Sequence, residues 1–216
     1  MCGRYSLSLP KDNISSLLGG LTISFTLEPR FNIAPSQKIL AFRSELEPVI
    51  LRWGLVPKWA NDSSIGYKMI NARAETIAEK PSFKAAFRAR RCLVPADGFY
   101  EWDRNTVPKQ PYHIRMADKG LFCFAGLWES WADKTTGEII ETCALITTEA
   151  NSLLKPIHHR MPVVIPPDAF SDWLEGYRVS ELLTLKDWTG FERVPVSTYV
   201  NSARNEGPKC IEELEA

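Results

Sequence analysis

Short apolar runs, separated by proline, glycine and polar residues, dominate the hydrophobic pattern of this 216-residue chain. Runs of this length that are rich in β-branched and aromatic residues are typical of β-strands. The pattern therefore predicts strands at Ile39–Phe42, Val49–Leu55, Cys92–Phe99, Tyr112–Arg115, Leu121–Trp128, Thr142–Thr147 and Pro162–Ile165.

A second set of segments has the pattern expected of short helices. These segments are Lys11–Leu18, Ser82–Ala89, Pro167–Leu174 and Ser180–Leu185. Because long β stretches have few helices between them, the order of elements favours an α+β fold with a curved, largely antiparallel sheet core and flanking helices. We expect one domain over residues 1–205. Residues 206–216, which end in a run of glutamates, are expected to form a solvated acidic tail.

The composition indicates the class of this protein and the cellular compartment in which it is expected. The hydrophobic fraction of 44% and the charged fraction of 24% are ordinary for a globular protein. The five cysteines include no Cys-x-x-Cys pair, so we do not expect a disulfide framework. They predict a reducing, cytoplasmic location. No apolar run reaches the roughly 18 residues of a membrane span. No Cys/His spacing indicates a metal site, so we expect none.

The charge balance argues against a protein that binds nucleic acid through its overall charge, because the formal net charge is zero. The distribution is uneven, however: residues 161–216 hold five basic and ten acidic side chains, and residues 1–160 hold 21 and 16. A local basic groove in the first part fits this distribution, and so does ordinary surface variation.

The second residue has the most distinctive chemistry. The chain begins Met1-Cys2-Gly3, and removal of Met1 would leave an N-terminal cysteine. Such a residue carries an α-amine with a pKa of about 8 beside a thiol with a pKa of about 8.5. The amine can form an imine with an aldehyde, after which the sulfur closes a thiazolidine ring. Alternatively, the thiol attacks an amide with the amine as base, or Cys2 is only a small buried residue.

Two further positions suit proton transfer. Glu101 lies between Tyr100 and Trp102 just after a predicted strand, and apolar neighbours raise a carboxyl pKa. His158 belongs to a His-His-Arg segment that holds two of the three histidines. Histidine moves protons near neutral pH. A surface glutamate and a structural histidine are the alternatives.

Polar side chains alternate over Asn71, Arg73 and Glu75. On a strand these three would share one face, where an amide and a guanidinium suit an oxyanion or a phosphate. A structural pair between Arg73 and Glu75 is the alternative.

Two loop segments carry candidate binding residues. Phe31–Pro35 contains Asn32 and Pro35 and is expected to form a turn. The segment from Trp53 to Trp59 combines aromatic side chains with a lysine, which suits base stacking and phosphate contact. The alternative places Trp53 in the core and Trp59 at the sheet edge.

The motifs MCGR, FNIAP, WGLVPKW, INARAET, CLVPADGFYEW, FAGLW and IHHRMPVVI follow one another in this order. This series closely resembles the SOS-response-associated peptidase (SRAP) family of abasic-site-processing proteins. The likeness runs from Cys2 to about Ile165 and continues weakly to Asn201. One departure is Lys58-Trp59, where some members carry two adjacent tryptophans.

The resemblance implies a single SRAP-like domain with a cleft for single-stranded DNA. It implies that mature Cys2 captures the open-chain aldehyde of an abasic site as a thiazolidine crosslink. Asn71 would hold the opened sugar, Glu101 would act as acid and base, and His158 would assist ring opening and contact the neighbouring phosphate.

Further roles come from the same resemblance. Arg4 and Arg73 would hold phosphates, and Pro35 with Trp59 would wedge and stack bases. The remaining DNA contacts implied are Asn32, Trp53, Thr147 and Arg160. The family resemblance also implies AP-lyase and peptidase or autoproteolytic activity, no cofactor, a monomer, and a nucleoid association if the source is bacterial.

Two other classes of function stay open. An N-terminal-nucleophile amidotransferase also begins Met-Cys-Gly, but such domains usually present an Asn-Gly pair, and this chain has no such dipeptide. A non-catalytic module that binds single-stranded DNA would make Cys2 incidental.

Overall fold

The structure is a computed structural model that describes residues 2–186 and 188–214. Its strands are β1 (Tyr5–Leu7), β2 (Arg30–Ile33), β3 (Lys38–Phe42), β4 (Pro48–Trp53), β5 (Asn71–Arg73), β6 (Arg91–Ala96), β7 (Gly98–Asp103), β8 (Gln110–Met116), β9 (Phe122–Ala132), β10 (Ile139–Glu149), β11 (Arg160–Pro162), β12 (Val164–Ile165) and β13 (Phe191–Pro195). Its helices are α1 (Lys11–Leu17), α2 (Lys84–Ala89), α3 (Phe170–Glu175) and α4 (Val179–Leu182). Short 3₁₀ helices lie at Ser44–Leu46, Ser63–Lys68, Pro167–Ala169, Thr198–Asn201 and Pro208–Cys210.

The strands form two sheets, one of which closes on itself. β10 pairs with both β9 and β4, and the pairs β4–β3, β3–β6 and β6–β9 complete a small five-stranded barrel. β5 and β11 pair with β10, and β12 pairs with β9. The other sheet has the order β13-β8-β7-β1-β2 and is antiparallel throughout. The predicted α+β fold with a largely antiparallel core is therefore confirmed.

Aromatic side chains join the two sheets. Tyr5 of β1 meets the edges of Trp53 and Phe124 in the barrel, with ring centroids 5.4 and 5.8 Å away. Phe99 of β7 meets Phe124 at 6.0 Å, again edge to face. Each such pair adds about 0.5–1.5 kcal/mol beyond its buried area. These contacts fix the strand that follows Cys2 against the barrel.

A buried carboxylate forms the corner between the two sheets. The sequence predicts one strand over Cys92–Phe99, but the structure breaks it at Asp97, where the chain leaves β6 and enters β7. The Asp97 carboxylate accepts hydrogen bonds from the Ser6 hydroxyl (2.5 Å), the Ser8 amide (2.5 Å) and the Ser8 hydroxyl (2.7 Å). The Leu9 amide donates a fourth bond of 3.0 Å. This carboxylate therefore ties the corner to the N-terminal strand.

Four strands are absent from the predictions: β1, β2, β5 and β13. Each is short, so its apolar pattern covers too few residues to stand out. The turn expected over Phe31–Pro35 is wrong for its first half, because Phe31 to Ile33 belong to β2 and pair with β1. The expected strand Pro162–Ile165 is divided between β11 and β12.

The four predicted helices are present in shortened form, and a 3₁₀ turn replaces the start of the third. None of the helices in the described part of the chain has the length and apolar character that crossing a bilayer requires.

The C-terminal segment corrects one expectation. Residues 206–214 pack on the body of the protein and do not form a freely solvated tail. Glu206 accepts a 2.5 Å hydrogen bond from the Phe31 amide, and Cys210 is fully buried. Glu213 forms a 2.6 Å ion pair with Arg115 of β8. Contacts with β2 and β8 hold this segment down, and the acidic composition alone does not reveal them.

We expect Asp97→Ala to lower the free energy of unfolding by about 3 kcal/mol or more, because one buried and three partly buried donors lose their carboxylate acceptor. Urea denaturation measures this change. Asp168→Ala, which removes an exposed carboxylate, is the matched control and should change stability by less than about 0.5 kcal/mol. A loss below about 1 kcal/mol for Asp97→Ala would show that this corner does not stabilise the fold.

Candidate active site

Asn71 holds the backbone of Cys2. The Asn71 amide nitrogen donates a 2.8 Å hydrogen bond to the Cys2 carbonyl. β5 fixes Asn71 opposite Leu145 of β10, and the preceding residue is anchored through a 2.9 Å bond from the Trp53 indole to the Ile70 carbonyl. The buried Oδ1 atom of Asn71 has no hydrogen-bond partner among the described residues. The side chain therefore orients the N-terminal segment and keeps an acceptor for another group.

The Cys2 side chain is fully buried. Burial raises the pKa of its thiol far above the usual range, and the negative charge of Glu101 raises this pKa further. The resting sulfur is therefore a neutral thiol. A mechanism that starts from a thiolate at Cys2 is disfavoured in this environment, because the thiolate is the nucleophilic form.

Glu101 lies near the end of β7, paired with Tyr112 of β8, and its side chain is only 4% exposed. Burial raises the pKa of this carboxyl above its usual value. The direction agrees with the sequence prediction from its aromatic neighbours. A carboxyl with a raised pKa can both donate and accept a proton near neutral pH, as acid–base catalysis requires.

His158 is buried directly before β11. Burial lowers the pKa of its imidazole to about 4, and nearby positive charges act in the same direction. The Nδ1 atom lies 2.9 Å from the Arg160 amide and 3.1 Å from the Arg160 carbonyl oxygen. The ring stacks on His159 with centroids 4.6 Å apart. His158 is therefore a neutral imidazole at pH 7, held on one side by the backbone.

Arg104 is a site residue that sequence reasoning missed. Its guanidinium Nη2 lies 3.3 Å from the His158 Nε2, and its charge also lowers the pKa of Glu101. Arg104 belongs to the exposed turn between β7 and β8, 54 residues before the histidine that it meets. Its position three residues after Glu101 is the only local signal, and that spacing alone does not indicate a contact with His158.

A polar cavity of about 420 Å³ is lined in part by His159 and Arg160, the two residues that follow His158. Its lining residues are Arg73, Glu149, Ala150, Lys155, His159 and Arg160. Glu149 is paired with Lys186 at 3.2 Å. Within residues 2–186 and 188–214, neither Arg73 nor Lys155 forms an ion pair, so two cations remain for an anionic ligand. Lys155 was not among the predicted site residues.

Arg160 and Thr147 have structural contacts. Arg160 forms a two-bond pair with Glu75 (2.7 and 2.9 Å) and donates a 2.6 Å bond to the Thr147 carbonyl. Glu75 therefore pairs with Arg160, and the alternative pairing with Arg73 is wrong. Thr147 is fully buried, so its side chain lies inside the fold in the free protein, and the expected DNA contact stays a prediction.

Two other expected DNA contacts also lie in the interior. Trp53 is fully buried in the aromatic core, which corrects the expected DNA contact at this position. Asn32 is buried as well: its oxygen accepts a 2.7 Å bond from Arg4, and its amide donates to the carbonyls of Ser202 (3.0 Å) and Asn205 (2.7 Å). Asn32 thus positions Arg4 and the C-terminal loop.

The other expected DNA contacts are accessible. Arg4 is partly buried, donates a 3.0 Å bond to the Val200 carbonyl and lies 5.9 Å from the Trp102 ring centre. Pro35 is partly exposed at the turn after β2, and Trp59 is 54% exposed in the loop after β4. Tyr67, in the same loop, is 67% exposed and was not predicted.

The described residues contain no cluster of three or more His, Cys, Asp or Glu side chains suited to a metal ion. What the fold brings together is a cysteine at position 2, a buried carboxyl and a neutral imidazole next to a cavity with two unpaired cations. A buried thiol, a buried carboxyl with a raised pKa and a neutral imidazole are the groups that acid–base chemistry at a cysteine requires.

Comparison with known proteins gives the family. The chain belongs to the SOS response associated peptidase (SRAP) family, whose model matches residues 1–203. It is 41% identical to a Bacillus subtilis protein named "Abasic site processing protein YoqW", over 98% of this chain and 99% of that protein. It is 32% identical to the Xenopus tropicalis "Abasic site processing protein HMCES", over 98% of this chain and 78% of that protein.

A solved structure shares the fold. A protein from Bacteroides thetaiotaomicron superposes with a TM-score of 0.90 at 28% identity, covering 99% of this chain and all of the other. The expected membership of the SRAP family is confirmed by the family model and by the named relatives.

We expect His158 to stay neutral from pH 8 down to about 5, because burial opposes its protonation. NMR titration of the imidazole measures this, with the signals assigned by their loss in His158→Gln. The unfolded chain protonates histidine near pH ~6.5, so this residue contributes stability above that pH that is lost as the pH falls from ~6.5 towards 4. A titration midpoint near 6.5 in the folded protein would contradict the buried environment.

Proposed function

We propose that this protein processes abasic sites in single-stranded DNA, and that it does so by a covalent crosslink through Cys2 after removal of Met1. The observation that carries the proposal is the placement of Cys2: its carbonyl is held by Asn71, and its thiol lies within the electrostatic influence of Glu101. The names of the YoqW and HMCES relatives, which state abasic site processing, support the same substrate.

The first chemical step is imine formation. The free α-amine of mature Cys2 adds to the aldehyde carbon of the ring-opened sugar, and loss of water leaves a carbon–nitrogen double bond. Glu101 gives the proton that the departing hydroxyl needs, since burial raises the pKa of its carboxyl and so favours the protonated form. The unpartnered Oδ1 of Asn71 accepts a hydrogen bond from the opened sugar.

The second step closes the thiazolidine ring. The Cys2 sulfur adds to the imine carbon, and the thiol proton moves to the nitrogen, so no other reactant is consumed. The raised pKa of the thiol supports the order in which the amine reacts first. A buried neutral thiol is a poor initial nucleophile, but it lies on the adjacent carbon once the imine has formed.

His158 assists opening of the sugar ring. A neutral imidazole can take the proton of the anomeric hydroxyl and return a proton to the ring oxygen. The expected phosphate contact by His158 would be a hydrogen bond from a neutral ring and not an ion pair, because its low pKa keeps it uncharged.

The DNA strand would bind across the accessible surface around this cluster. Arg73 and Lys155 offer charge for phosphates at the cavity, and the exposed Trp59 offers a stacking platform for an unpaired base. Because the product is covalent, tight equilibrium binding is not required, and a zero net charge is compatible with a DNA substrate. AP-lyase and peptidase activities, a monomeric state and a cytoplasmic or nucleoid location stay predictions.

The mature protein should crosslink a single strand with an abasic site and leave the same strand with an intact base unchanged, as seen on a denaturing gel. Cys2→Ser should form an imine that borohydride traps, but no stable crosslink, because oxygen closes a more labile ring. A form that keeps a residue before Cys2, verified by intact mass, should give neither product. A heat-stable crosslink from that form would refute the thiazolidine mechanism.

Two variants separate binding from chemistry. Arg73→Ala should weaken capture mainly at raised salt, because its exposed guanidinium is proposed to hold phosphate. Glu101→Gln should slow the chemical step by roughly 10²–10⁴-fold at any salt, because it removes an acid–base group. Arg88→Ala, which removes an exposed arginine of α2, is the matched charge control. Identical salt dependence of the first two variants would show that the assignment is wrong.

A further inference from the structure

The turn between β7 and β8 brings a cation to the two acid–base groups of the site. Arg104 is exposed in this turn, and its guanidinium Nη2 lies 3.3 Å from the His158 Nε2. Burial is the main influence on the pKa values of Glu101 and His158, and the charge of Arg104 lowers both. The Asn105 side-chain amide lies 3.4 Å from the Pro156 carbonyl, so the turn contacts the loop that precedes His158. One exposed cation therefore acts on both groups.

Most hydrogen-bond donors of Arg104 are open. A guanidinium carries five N–H donors in a planar fork. Only one nitrogen of Arg104 contacts His158, and among the residues that the structure describes Arg104 has no ion pair and no other hydrogen bond. The neighbouring carboxylate of Asp103 accepts instead from the Asn105 backbone amide at 2.8 Å and from its side chain at 2.9 Å. The fork is therefore available to a ligand that approaches from solvent.

The charge of Arg104 is not balanced by the groups that it adjoins. Burial favours the neutral forms of the Cys2 thiol, the Glu101 carboxyl and the His158 imidazole. A neutral imidazole is a weaker partner for a guanidinium than an anion is, and a phosphate accepts two parallel N–H bonds from such a fork. The ligand that fits this position is therefore a phosphate.

We propose that Arg104 is a specificity-determining residue: it holds a phosphate directly joined to the abasic sugar, and capture depends on that one charge. The proposal rests on the function proposed above. Glu101 and His158 must reach the sugar for their proton transfers, so a phosphate beside Arg104 is one attached to the same sugar. Arg73 and Lys155 line the polar cavity, whose lining does not include Arg104, and would hold phosphates further along the strand.

The consequence is a selection among aldehydes. A small aldehyde has no phosphate, so it would meet the Cys2 amine without the positioning that Arg104 gives. An abasic strand gains hydrogen bonds between two charged groups, which change a rate constant at subsaturating protein by about tenfold or more.

The test replaces one phosphate at a time by a neutral methylphosphonate in a strand with a single abasic site. The replacement lies on the 5′ side of the abasic sugar, on its 3′ side, or several nucleotides away. Crosslinking by mature wild type at subsaturating protein should slow by about tenfold or more for one of the two adjacent positions, and much less for the distant one. Arg104→Ala should be slowed by a similar factor on the unmodified strand, and the same methylphosphonate should not slow it further.

Further variants control for charge and for folding. Lys155→Ala and the charge control Arg88→Ala should keep the wild-type dependence on the adjacent phosphate, because both leave Arg104 in place. Arg104→Lys, which keeps the charge but not the fork, should recover part of the rate. With glycolaldehyde, a small aldehyde without phosphate, Arg104→Ala should form the thiazolidine at the wild-type rate. Thermal unfolding checks that each variant is folded, and little change is expected at an exposed residue.

Three results would overturn the assignment of Arg104. The first is a wild-type rate that neither adjacent methylphosphonate lowers, and the second is an Arg104→Ala variant that keeps the full dependence on the adjacent phosphate. The third is an equal loss of rate with abasic DNA and with glycolaldehyde, which would show that Arg104 acts through Glu101 and His158 and not on phosphate. Failure of the wild type to crosslink the unmodified abasic strand would instead refute the proposed function, so the two failures are distinguishable.

Discussion

The hydrogen-bond ladder of β10 is the constraint on which the site depends. This strand closes the barrel by pairing with β9 and β4, and beyond the barrel it pairs with β5 and β11. Through β5 it fixes Asn71, and with it the Cys2 carbonyl. Through β11 it fixes the Arg160 backbone that holds His158. Two groups on distant parts of the chain are thus positioned by one strand, with Arg160 and Glu75 reinforcing its far end.

Burial, more than any single ion pair, sets the protonation states in the site. It is the largest cause of the raised pKa of the Cys2 thiol and the Glu101 carboxyl and of the lowered pKa of His158. All three groups are therefore biased towards their neutral forms. A neutral cluster suits carbonyl chemistry, in which protons must move in both directions, and it costs the fold less than buried charges would. The cations proposed to hold DNA phosphates, Arg73 and Lys155, lie outside this cluster in the lining of the polar cavity.

The sequence predicts much of the barrel and less of the site. The apolar runs of β3, β4, β9 and β10 are long enough to be recognised as strands in the sequence. The α+β class follows from the order of these strands and the helices. The three-residue strands β1 and β5 escape prediction because their pairing partners, not their own pattern, make them strands. Trp53 lies in a predicted strand, and its burial in the core agrees with the alternative that its segment left open beside a DNA contact. The position of Arg104 three residues after Glu101 does not indicate its contact with His158, and Lys155 has no local signal for the cavity that it lines.

The burial of the N-terminal segment has a consequence for the processing of the chain during its synthesis. β1 pairs with β7, and Arg4 bonds to the Val200 carbonyl, which is synthesised 196 residues later. Until those partners emerge, the first residues have nothing to pack against and remain accessible to processing enzymes. Folding then covers Cys2 completely. The removal of Met1 proposed above is therefore expected to act on the growing chain, before the fold covers the cysteine that it exposes.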